Sequence, residues 1–453
     1  MNLFRARWIP LLVIALSLVL FPTLPQLAAR ATAQSEAIDP ADAEKMDAIE
    51  AAVVELRGLQ ATSSIARAVM TRAELEAWLA EQLASEYTPE EARDDAIFYN
   101  ALDFMPLDTD LWQLQLDLLT EQIAGFYDAE GGRMVVVGDS FDSVAELTYA
   151  HEFAHALQDQ SFNLASLEIG LAGDEQPDAP DLILARLALI EGDASQVMAD
   201  YLMYRVQEQR DAAFALGLFG GLVGVSMAQL DSAPAIINAE LFFPYLDGQA
   251  FIQAALERGG WALVDAIYER PPLSTEHILH PEQYFNADEP DLVQLVPADA
   301  TLGASWRLVH NFTLGEFYLR EYLAQRVPDG DATRAAEGWG GDSLAVYFND
   351  GTEGIAWVLR ADWDSASHGQ EFEAVYAAFA SARYGAEPIM TMEDGAVCWD
   401  GAVSAPGASD AEPAQPMRYD STCLLHSGSD TLVVQGPDLN TVLAVQQTQL
   451  RLD

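Results

Sequence analysis

Two histidines four residues apart constrain this chain more than any other feature. His151 and His155 lie on either side of Glu152 and two apolar residues in LTYAHEFAHALQDQ, residues 147–160. Residues at i and i+4 share one face of a helix, so a helix here presents both imidazoles together. Such polar groups make a poor apolar core unless a ligand or a buried partner satisfies them. The segment therefore predicts a metal-binding helix, and the alternative is an ordinary buried helix.

The spacing is typical of helices that hold a catalytic zinc ion, Zn²⁺. In that chemistry His151 and His155 bind the metal, and Glu152 is the general base that takes a proton from the attacking water. A catalytic zinc site also needs a third protein ligand. The continuation HExxHxxGxxH is excluded because Gln158 and Ser161 occupy its last two defining positions. The third ligand must therefore come from elsewhere in the chain.

We predict that Glu191 is this third metal ligand. It is a lone acid at the end of the apolar stretch Leu182–Ile190, on the helix expected after the motif. A carboxylate in that position is costly to bury unless it is paired or bound to metal. The alternative is a helix-surface carboxylate near a bend at Gly192.

Hydrolysis also needs a donor for the oxyanion of the transition state. The segment after Pro271 and Pro272 offers His277, His280 and Tyr284. We predict His280 and Tyr284 as catalytic donors. The alternative is that these side chains form hydrogen bonds within a rigid, proline-bounded loop.

HEFAH followed 36 residues later by EGDA resembles the gluzincin metallopeptidases, the thermolysin-like group that binds zinc through two histidines and a glutamate. A looser likeness, to secreted bacterial members of this group, covers residues from about 45 to 380. It depends on TEQIAGFYD (120–128), FPYLDG (243–248) and PPLSTEHILHPEQY (271–284). The resemblance implies peptide hydrolysis, with His151, His155 and Glu191 on zinc and Glu152 as base.

The resemblance also implies an active-site helix that follows an edge strand, here Met134–Val137, which would line the substrate by backbone pairing. The chain departs from thermolysin-like enzymes next to the third ligand. Ile190 replaces an asparagine and Ser195 replaces an aspartate. Asp193 is the substitute we consider for the side chain that would orient a ligand histidine.

The charge excludes some partners. The chain has 453 residues, with 71 acidic and 22 basic side chains and a formal net charge of −49. This charge argues against nucleic acid and anionic membrane surfaces as partners.

The N-terminus has the pattern of an export signal, with Arg5 and Arg7 before an apolar run and Ala31-Thr32-Ala33 after it. It predicts a signal peptide at residues 1–33 and an extracytoplasmic protein, secreted or attached to the cell envelope. The alternative is an uncleaved anchor, which would be the protein's membrane contact.

Periodicity and capping patterns predict a mainly helical α+β fold in three parts. Residues 34–125 are expected to be a helical N-terminal region, either a pro-segment or a lid. Residues 126–300 form the zincin-like catalytic domain, and residues 301–453 a small α+β C-terminal region with a hairpin at Asn349-Asp350-Gly351. Capping boxes are expected at Thr71–Glu74, Thr88–Glu91 and Ser143–Glu146.

Three further features leave alternatives open. The uncharged apolar run 212–230 is expected to be a soluble segment rather than a bilayer span. Cys398 and Cys423 are expected either to form a disulfide in an oxidising compartment or to stay as buried thiols. The turn Gly338–Asp342 favours a core anchor at Trp339 over a ligand contact.

The sequence as a whole predicts an exported zinc metallopeptidase that acts on a peptide or protein. One alternative is a zinc hydrolase of an ester or a non-peptide amide with the same ligands. The other is a non-enzymatic extracytoplasmic zinc-binding or envelope protein.

Overall fold

The computed structural model describes residues 38–129, 131–138, 140–169, 180–208, 214, 232–392, 395–403 and 418–451. Of these residues, 58% are helical and 19% lie in strands. The expected mainly helical α+β class is confirmed. The signal peptide at residues 1–33 and nearly all of the apolar run 212–230 lie outside the described residues.

The N-terminal part alternates helices with short strands. Its elements are α1 (Pro40–Arg57), β1 (Ala66–Met70), α2 (Arg72–Glu86), α3 (Pro89–Ala101), α4 (Leu111–Gln122), β2 (Gly125–Asp128) and β3 (Arg133–Val137). Both expected capping boxes of this part form, at Thr71 and at Thr88, where the threonine and the glutamate three residues later each accept a backbone hydrogen bond. The strand β1 shows that this region is not wholly helical.

The three short strands form one sheet in the order β1-β3-β2, with β1 parallel and β2 antiparallel to β3. The prediction that Met134–Val137 is an edge strand is therefore wrong, because β3 is the central strand. Residues Ala66–Met70, distant in sequence, cover its other side. The edge strand that lies against the motif helix is β2, where a side chain at Gly125 would contact Thr148 of that helix.

The central helices are α5 (Ser143–Phe162), α6 (Leu164–Ile169), α7 (Pro180–Met203, continued by a π-helical turn Tyr204–Glu208), α8 (Ala235–Glu269), α9 (Thr275–Leu279), α10 (Pro281–Asn286) and α11 (Asp299–Leu302). The N-cap of helix α5 lies one residue earlier than expected, at Asp142. Asp142 accepts hydrogen bonds from the backbone of Val144 and Ala145 at 3.0 and 3.1 Å, so the capping box predicted at Ser143 is wrong.

The C-terminal part is built on a seven-stranded sheet in the order β4-β5-β6-β10-β9-β8-β7. Its elements are β4 (Trp306–Phe312), α12 (Gly315–Ala324), α13 (Asp329–Ala336), β5 (Trp339–Asn349), β6 (Gly354–Trp363), α14 (Ala366–Tyr384), β7 (Met390–Thr391), β8 (Val397–Val403), β9 (Arg418–Ser427), β10 (Asp430–Gly436) and α15 (Leu439–Gln449). Strands β5 and β6 form the expected hairpin. Cys398 and Cys423 occupy paired positions of β8 and β9 and form a disulfide.

Both predicted boundaries between regions fall inside secondary-structure elements. Strand β2 contains the junction at 125/126, and helix α11 contains the junction at 300/301. One cluster of buried apolar side chains extends from Leu75 to Val433. Buried Arg383 of α14 forms ion pairs with Asp103 and Asp420. One buried apolar cluster therefore includes side chains from all three regions.

Within the described ranges, none of the helices combines the length and the apolar composition that crossing a bilayer requires.

Candidate metal centre

The three side chains predicted as metal ligands come together where α5 crosses α7. His151, Glu152 and His155 of α5 and Glu191 of α7 are each at most 3% exposed. The Nε2 atoms of the two histidines lie 3.0 Å apart. Glu191 Oε2 lies 3.1 Å from His151 Nε2 and 3.4 Å from His155 Nε2. Three ligating atoms thus form a nearly equilateral triangle.

The size of this triangle fits a metal ion. Nitrogen and carboxylate-oxygen ligands bind zinc at about 2.0–2.2 Å with tetrahedral geometry, which places ligand atoms roughly 3.3 Å from one another. In the described part of the chain, this is the one group of three histidine, cysteine or acidic residues whose ligating atoms all lie within 4.8 Å. The group could therefore hold a metal, and two nitrogens with one carboxylate oxygen are a set that zinc accepts.

A second layer of contacts orients the ligands. Gln158, one turn after His155, accepts the hydrogen of His155 Nδ1 through its Oε1 at 2.8 Å. The amide group of Gln158 donates to the carbonyl of Ile190 at 3.1 Å, next to Glu191. Gln158 therefore ties α5 to α7 and fixes which ring nitrogen of His155 faces the centre. From the sequence, Gln158 served only to exclude the HExxHxxGxxH pattern.

Asp193 does not orient a ligand histidine. Its carboxylate accepts two hydrogen bonds from Arg57 of α1, at 2.8 and 3.0 Å, and one from the hydroxyl of Tyr268 at 2.9 Å. Asp193 instead anchors α1 to α7, two residues from Glu191.

Glu152 is held beside the ligands by the edge strand. Its Oε2 accepts the backbone N–H of Tyr127 at 3.1 Å, while Oε1 is buried without a hydrogen-bond partner among the described residues. Burial and the nearby charge of Glu191 raise the pKa of Glu152 well above its usual value. One carboxylate oxygen is thus fixed, and the other is left to accept a proton.

Burial and the neighbouring charges act in opposite directions on the pKa values of His151 and Glu191. Burial, together with the charge of His155, lowers the pKa of His151 despite its hydrogen bond to Glu191. Burial alone would raise the pKa of Glu191, but the charge of His155 and hydrogen bonds from both histidines outweigh it and hold the pKa below its usual value. A neutral imidazole and an ionised carboxylate are the forms that bind metal.

A very close helix crossing sets the position of Glu191. A Cβ atom on Gly192 would overlap the backbone of Gly248 in α8, and one on Gly248 would overlap the backbone of Ala188 in α7. Glycine at both positions lets the two helices touch. Helix α7 continues through Gly192, so the bend considered for that position is absent.

The same crossing brings Tyr245 of α8 to the centre. Its ring centroid lies 5.9 Å from that of His151, with the rings inclined by 32°. Among the described residues, Tyr245 is the tyrosine whose ring lies against a ligand histidine. Tyr245 belongs to the segment FPYLDG (243–248), in which no local sequence signal distinguishes it from a core tyrosine.

The two predicted transition-state donors lie elsewhere. His280 Nε2 is 2.9 Å from Glu316 Oε1 of α12, and the hydroxyl of Tyr284 donates to the carbonyl of Arg270 at 2.7 Å. Neither forms a hydrogen bond or an ion pair with the ligands. Their loop docks at Asp181, near the start of α7 and ten residues from Glu191, which is roughly 15 Å along the helix. The structure therefore gives His280 and Tyr284 partners other than His151, His155 and Glu191.

Comparison with known proteins adds one partial likeness. A family model described as a domain of unknown function, DUF8575, matches residues 307–446. This segment begins in β4 and ends in α15, so it covers the seven-stranded sheet and contains none of the three ligands. No curated protein and no solved structure matches the chain.

Proposed function

We propose that this protein is an extracytoplasmic zinc metallopeptidase with a zincin-like catalytic region, in which a zinc ion is held by His151, His155 and Glu191. The observation that carries the proposal is the triangle of three ligating atoms, 3.0–3.4 Å apart, with Glu152 beside it. When bound, zinc would polarise the scissile carbonyl and make water nucleophilic near neutral pH.

Glu152 is the general base of the proposed reaction. The Tyr127 N–H holds its Oε2 at 3.1 Å and so fixes the carboxylate against α5. Its free Oε1 accepts the proton of the attacking water and returns it to the amine that leaves. Because the base is buried and partly fixed, little reorganisation is needed when the proton moves.

The strand edge of β2 that no described strand covers favours a peptide as the substrate. Val137 donates to the carbonyl of Ala124, so alternate residues of β2 face β3. Gly125 and Tyr127 therefore direct their backbone groups to the other edge, where Glu152 already accepts the Tyr127 N–H and no strand pairs among the described residues. An extended peptide can add to this edge by backbone hydrogen bonds and pass beside Glu152.

Tyr245 is the residue that replaces His280 and Tyr284 as oxyanion donor in this proposal. Its ring contact with His151 places a phenol on the side of the centre formed by α8. A hydroxyl donor aimed at the developing charge stabilises the transition state of amide hydrolysis.

Metal content and peptide cleavage of the mature protein test the proposal together. We expect about one zinc per chain, lost or sharply weakened in Glu191→Ala. Glu152→Ala should retain zinc and lose cleavage of an unbiased peptide library. The surface variant Glu371→Ala, on α14, is the control for loss of one carboxylate. Full activity of Glu152→Ala, or absence of zinc after supplementation, would overturn the proposal. Cleavage of esters alone would move the function to a non-peptide hydrolase.

A further inference from the structure

Gln158 connects two of the three proposed metal ligands through a single amide group. It lies three residues after His155 on α5, so the two side chains share one face of the helix. Both are fully buried, with 0% exposure. Gln158 Oε1 lies 2.8 Å from His155 Nδ1, and Gln158 Nε2 donates to the carbonyl of Ile190 at 3.1 Å. Because Ile190 precedes Glu191 on α7, the amide joins one ligand to the backbone beside another.

The carbonyl of Ile190 decides which way this amide points. A carbonyl oxygen only accepts hydrogen bonds, so the end of the Gln158 amide that faces Ile190 must be the NH₂ group. The amide oxygen then faces Nδ1 of His155, and this oxygen also only accepts. Nδ1 of His155 must therefore carry the hydrogen. The backbone of α7 thus sets the position of a proton on a ring that belongs to α5.

The tautomer set in this way is the one that binds a metal at the centre. A neutral imidazole with its hydrogen on Nδ1 has its lone pair on Nε2. Nε2 of His155 lies 3.0 Å from Nε2 of His151 and 3.4 Å from Oε2 of Glu191, so it is the ring nitrogen that faces the other ligands. Because a histidine binds metal through an unprotonated nitrogen, His155 already has the form that binding requires.

His151 has no equivalent support. Its Nδ1 atom is buried and has no hydrogen bond of normal geometry with the described residues. Its ring lies beside the ring of Tyr245, at 5.9 Å between centroids, which restricts the orientation of the ring and not the position of its proton. Among the described residues, the tautomer of one ligand histidine is therefore fixed by a side chain, and that side chain is Gln158.

The contact joins two positions at which the sequence departs from known patterns. Gln158 stands where the pattern HExxHxxGxxH has glycine, and Ile190 stands where thermolysin-like enzymes have asparagine before the glutamate ligand. The hydrogen bond between Gln158 and the Ile190 carbonyl needs an amide at one position and only backbone at the other. A carboxylate at 158 could accept from His155 but not donate to Ile190, and an apolar side chain could do neither.

We infer that Gln158 is a positioning residue of the proposed zinc site. Its oxygen holds His155 in the tautomer that presents Nε2 to the metal, and its NH₂ group holds the α7 backbone beside Glu191. One side chain thereby orients ligands from two helices. Outer partners of this kind typically contribute about 10–100-fold to metal affinity. The inference rests on the proposed zinc site, but it does not require the protein to cleave peptides.

The tautomer of His155 in the metal-free parent is the first measurement. The mature full chain is labelled with ¹⁵N-histidine and treated with a chelator, and His155→Gln identifies the signals of His155. Spectra are recorded at mildly alkaline pH, at which an unperturbed histidine is neutral. The ¹⁵N shifts distinguish protonated from unprotonated ring nitrogens, and we expect the hydrogen on Nδ1. A folded parent with the hydrogen on Nε2 of His155 would overturn the inference, whether or not any variant of Gln158 folds.

Gln158→Met removes both hydrogen bonds with little change in volume. We expect zinc affinity, measured by competition with a chromophoric chelator, to fall by about 10–100-fold, and His155 to lose its single tautomer. Gln115→Met is the matched control. Gln115 of α4 is also a buried glutamine, with 1% exposure, but its amide has no hydrogen-bond partner among the described residues. This control should keep the zinc affinity of the parent.

The outcomes separate a positioning role from a merely structural one. A Gln158→Met protein that melts at a lower temperature but binds zinc as tightly as the parent would show that Gln158 only joins the helices, and the inference would fail. A parent with the expected tautomer, and with zinc binding that depends on Gln158, supports the inference even if it cleaves no peptide. That last result would overturn the proposed peptidase alone, so the two failures can be told apart.

Discussion

Gly192 and Gly248 lie where α7 and α8 touch, and neither position has room for a side chain. At either glycine, an added Cβ would overlap backbone atoms of the opposite helix. Backbone atoms cannot rotate away as a side chain can. Because Glu191 and Tyr245 are close neighbours of this contact, the crossing sets the distance between the two sides of the metal centre.

Gly248→Ala should therefore destabilise the protein and disturb the centre. Overpacking of a core costs about 1–3 kcal/mol, and we expect a melting temperature lower by several degrees with weaker zinc binding. Gly330→Ala is the control, since Gly330 lies in α13 with open space around it. That variant should be unchanged or slightly stabilised. An unchanged melting temperature and zinc affinity in Gly248→Ala would show that the helices can separate without consequence.

Tyr245→Phe should lower kcat while zinc content stays at the parent level. Loss of one oxyanion donor typically costs on the order of 100-fold in kcat, and KM should change little if the hydroxyl acts mainly in the transition state. Tyr284→Phe is the comparison, because its hydroxyl donates to the Arg270 carbonyl and its loss should affect stability only. A parent-like kcat in Tyr245→Phe, with a large loss in Tyr284→Phe, would restore the donor predicted from the sequence.

The grouping of His151, His155 and Glu191 could be predicted because the signals of these residues are local. The i, i+4 spacing of His151 and His155 needs only a helix, and Glu191 stands out as the lone acid after an apolar stretch. Tyr245 could not be predicted in this way, because its approach to His151 depends on the contact of two helices that carry glycines 56 residues apart in sequence. The partner of His280 could not be predicted either, because a histidine after a proline-bounded loop looks the same in sequence whether it faces a metal or Glu316.

The sheet shows the same limit. The run Arg133–Val137 is recognisable as a strand, but its position within the sheet depends on Ala66–Met70. That segment contains Arg67 between small and apolar residues and has no strong strand signal of its own. Pairing between distant segments is decided by tertiary packing, so the sequence could identify the strand and not its neighbours.

Arg57→Met should show whether α1 is part of the catalytic fold or a removable segment. Arg57 is buried, pairs with Asp193 and Asp265, and lies over the ring of Trp261. Leaving Asp193 without its partner should cost about 3–5 kcal/mol and weaken zinc binding, since Asp193 is two residues from Glu191. Arg334→Met, which breaks an exposed pair with Asp331, is the control. If residues 34–57 were an inhibitory pro-segment, the variant would instead cleave peptides faster than the parent.

The buried carboxyl of Glu240 should make the protein lose stability as pH rises. Burial raises the pKa of Glu240 to about 8, although hydrogen bonds from Tyr318 and Tyr99 oppose the shift. The folded state therefore keeps a proton that the unfolded chain releases above its ordinary pKa of about 4.3. Between about pH 4.3 and 8 the folded state binds more protons, so the contribution of this group to stability falls as pH rises through the window and is constant above it.

Glu240→Gln removes this titration and isolates its effect. Relative to the parent, the variant should gain stability from pH 5 to pH 8, by about 1.4 kcal/mol for each pH unit at most, and no more beyond pH 8. Chemical denaturation of the metal-free protein at several pH values measures the difference without interference from the zinc ligands. Glu371→Gln, exposed on α14, controls for the change in net charge. A difference between variant and parent that does not change from pH 5 to pH 8 would mean that Glu240 is ionised in the folded protein and that its tyrosine partners stabilise the charge.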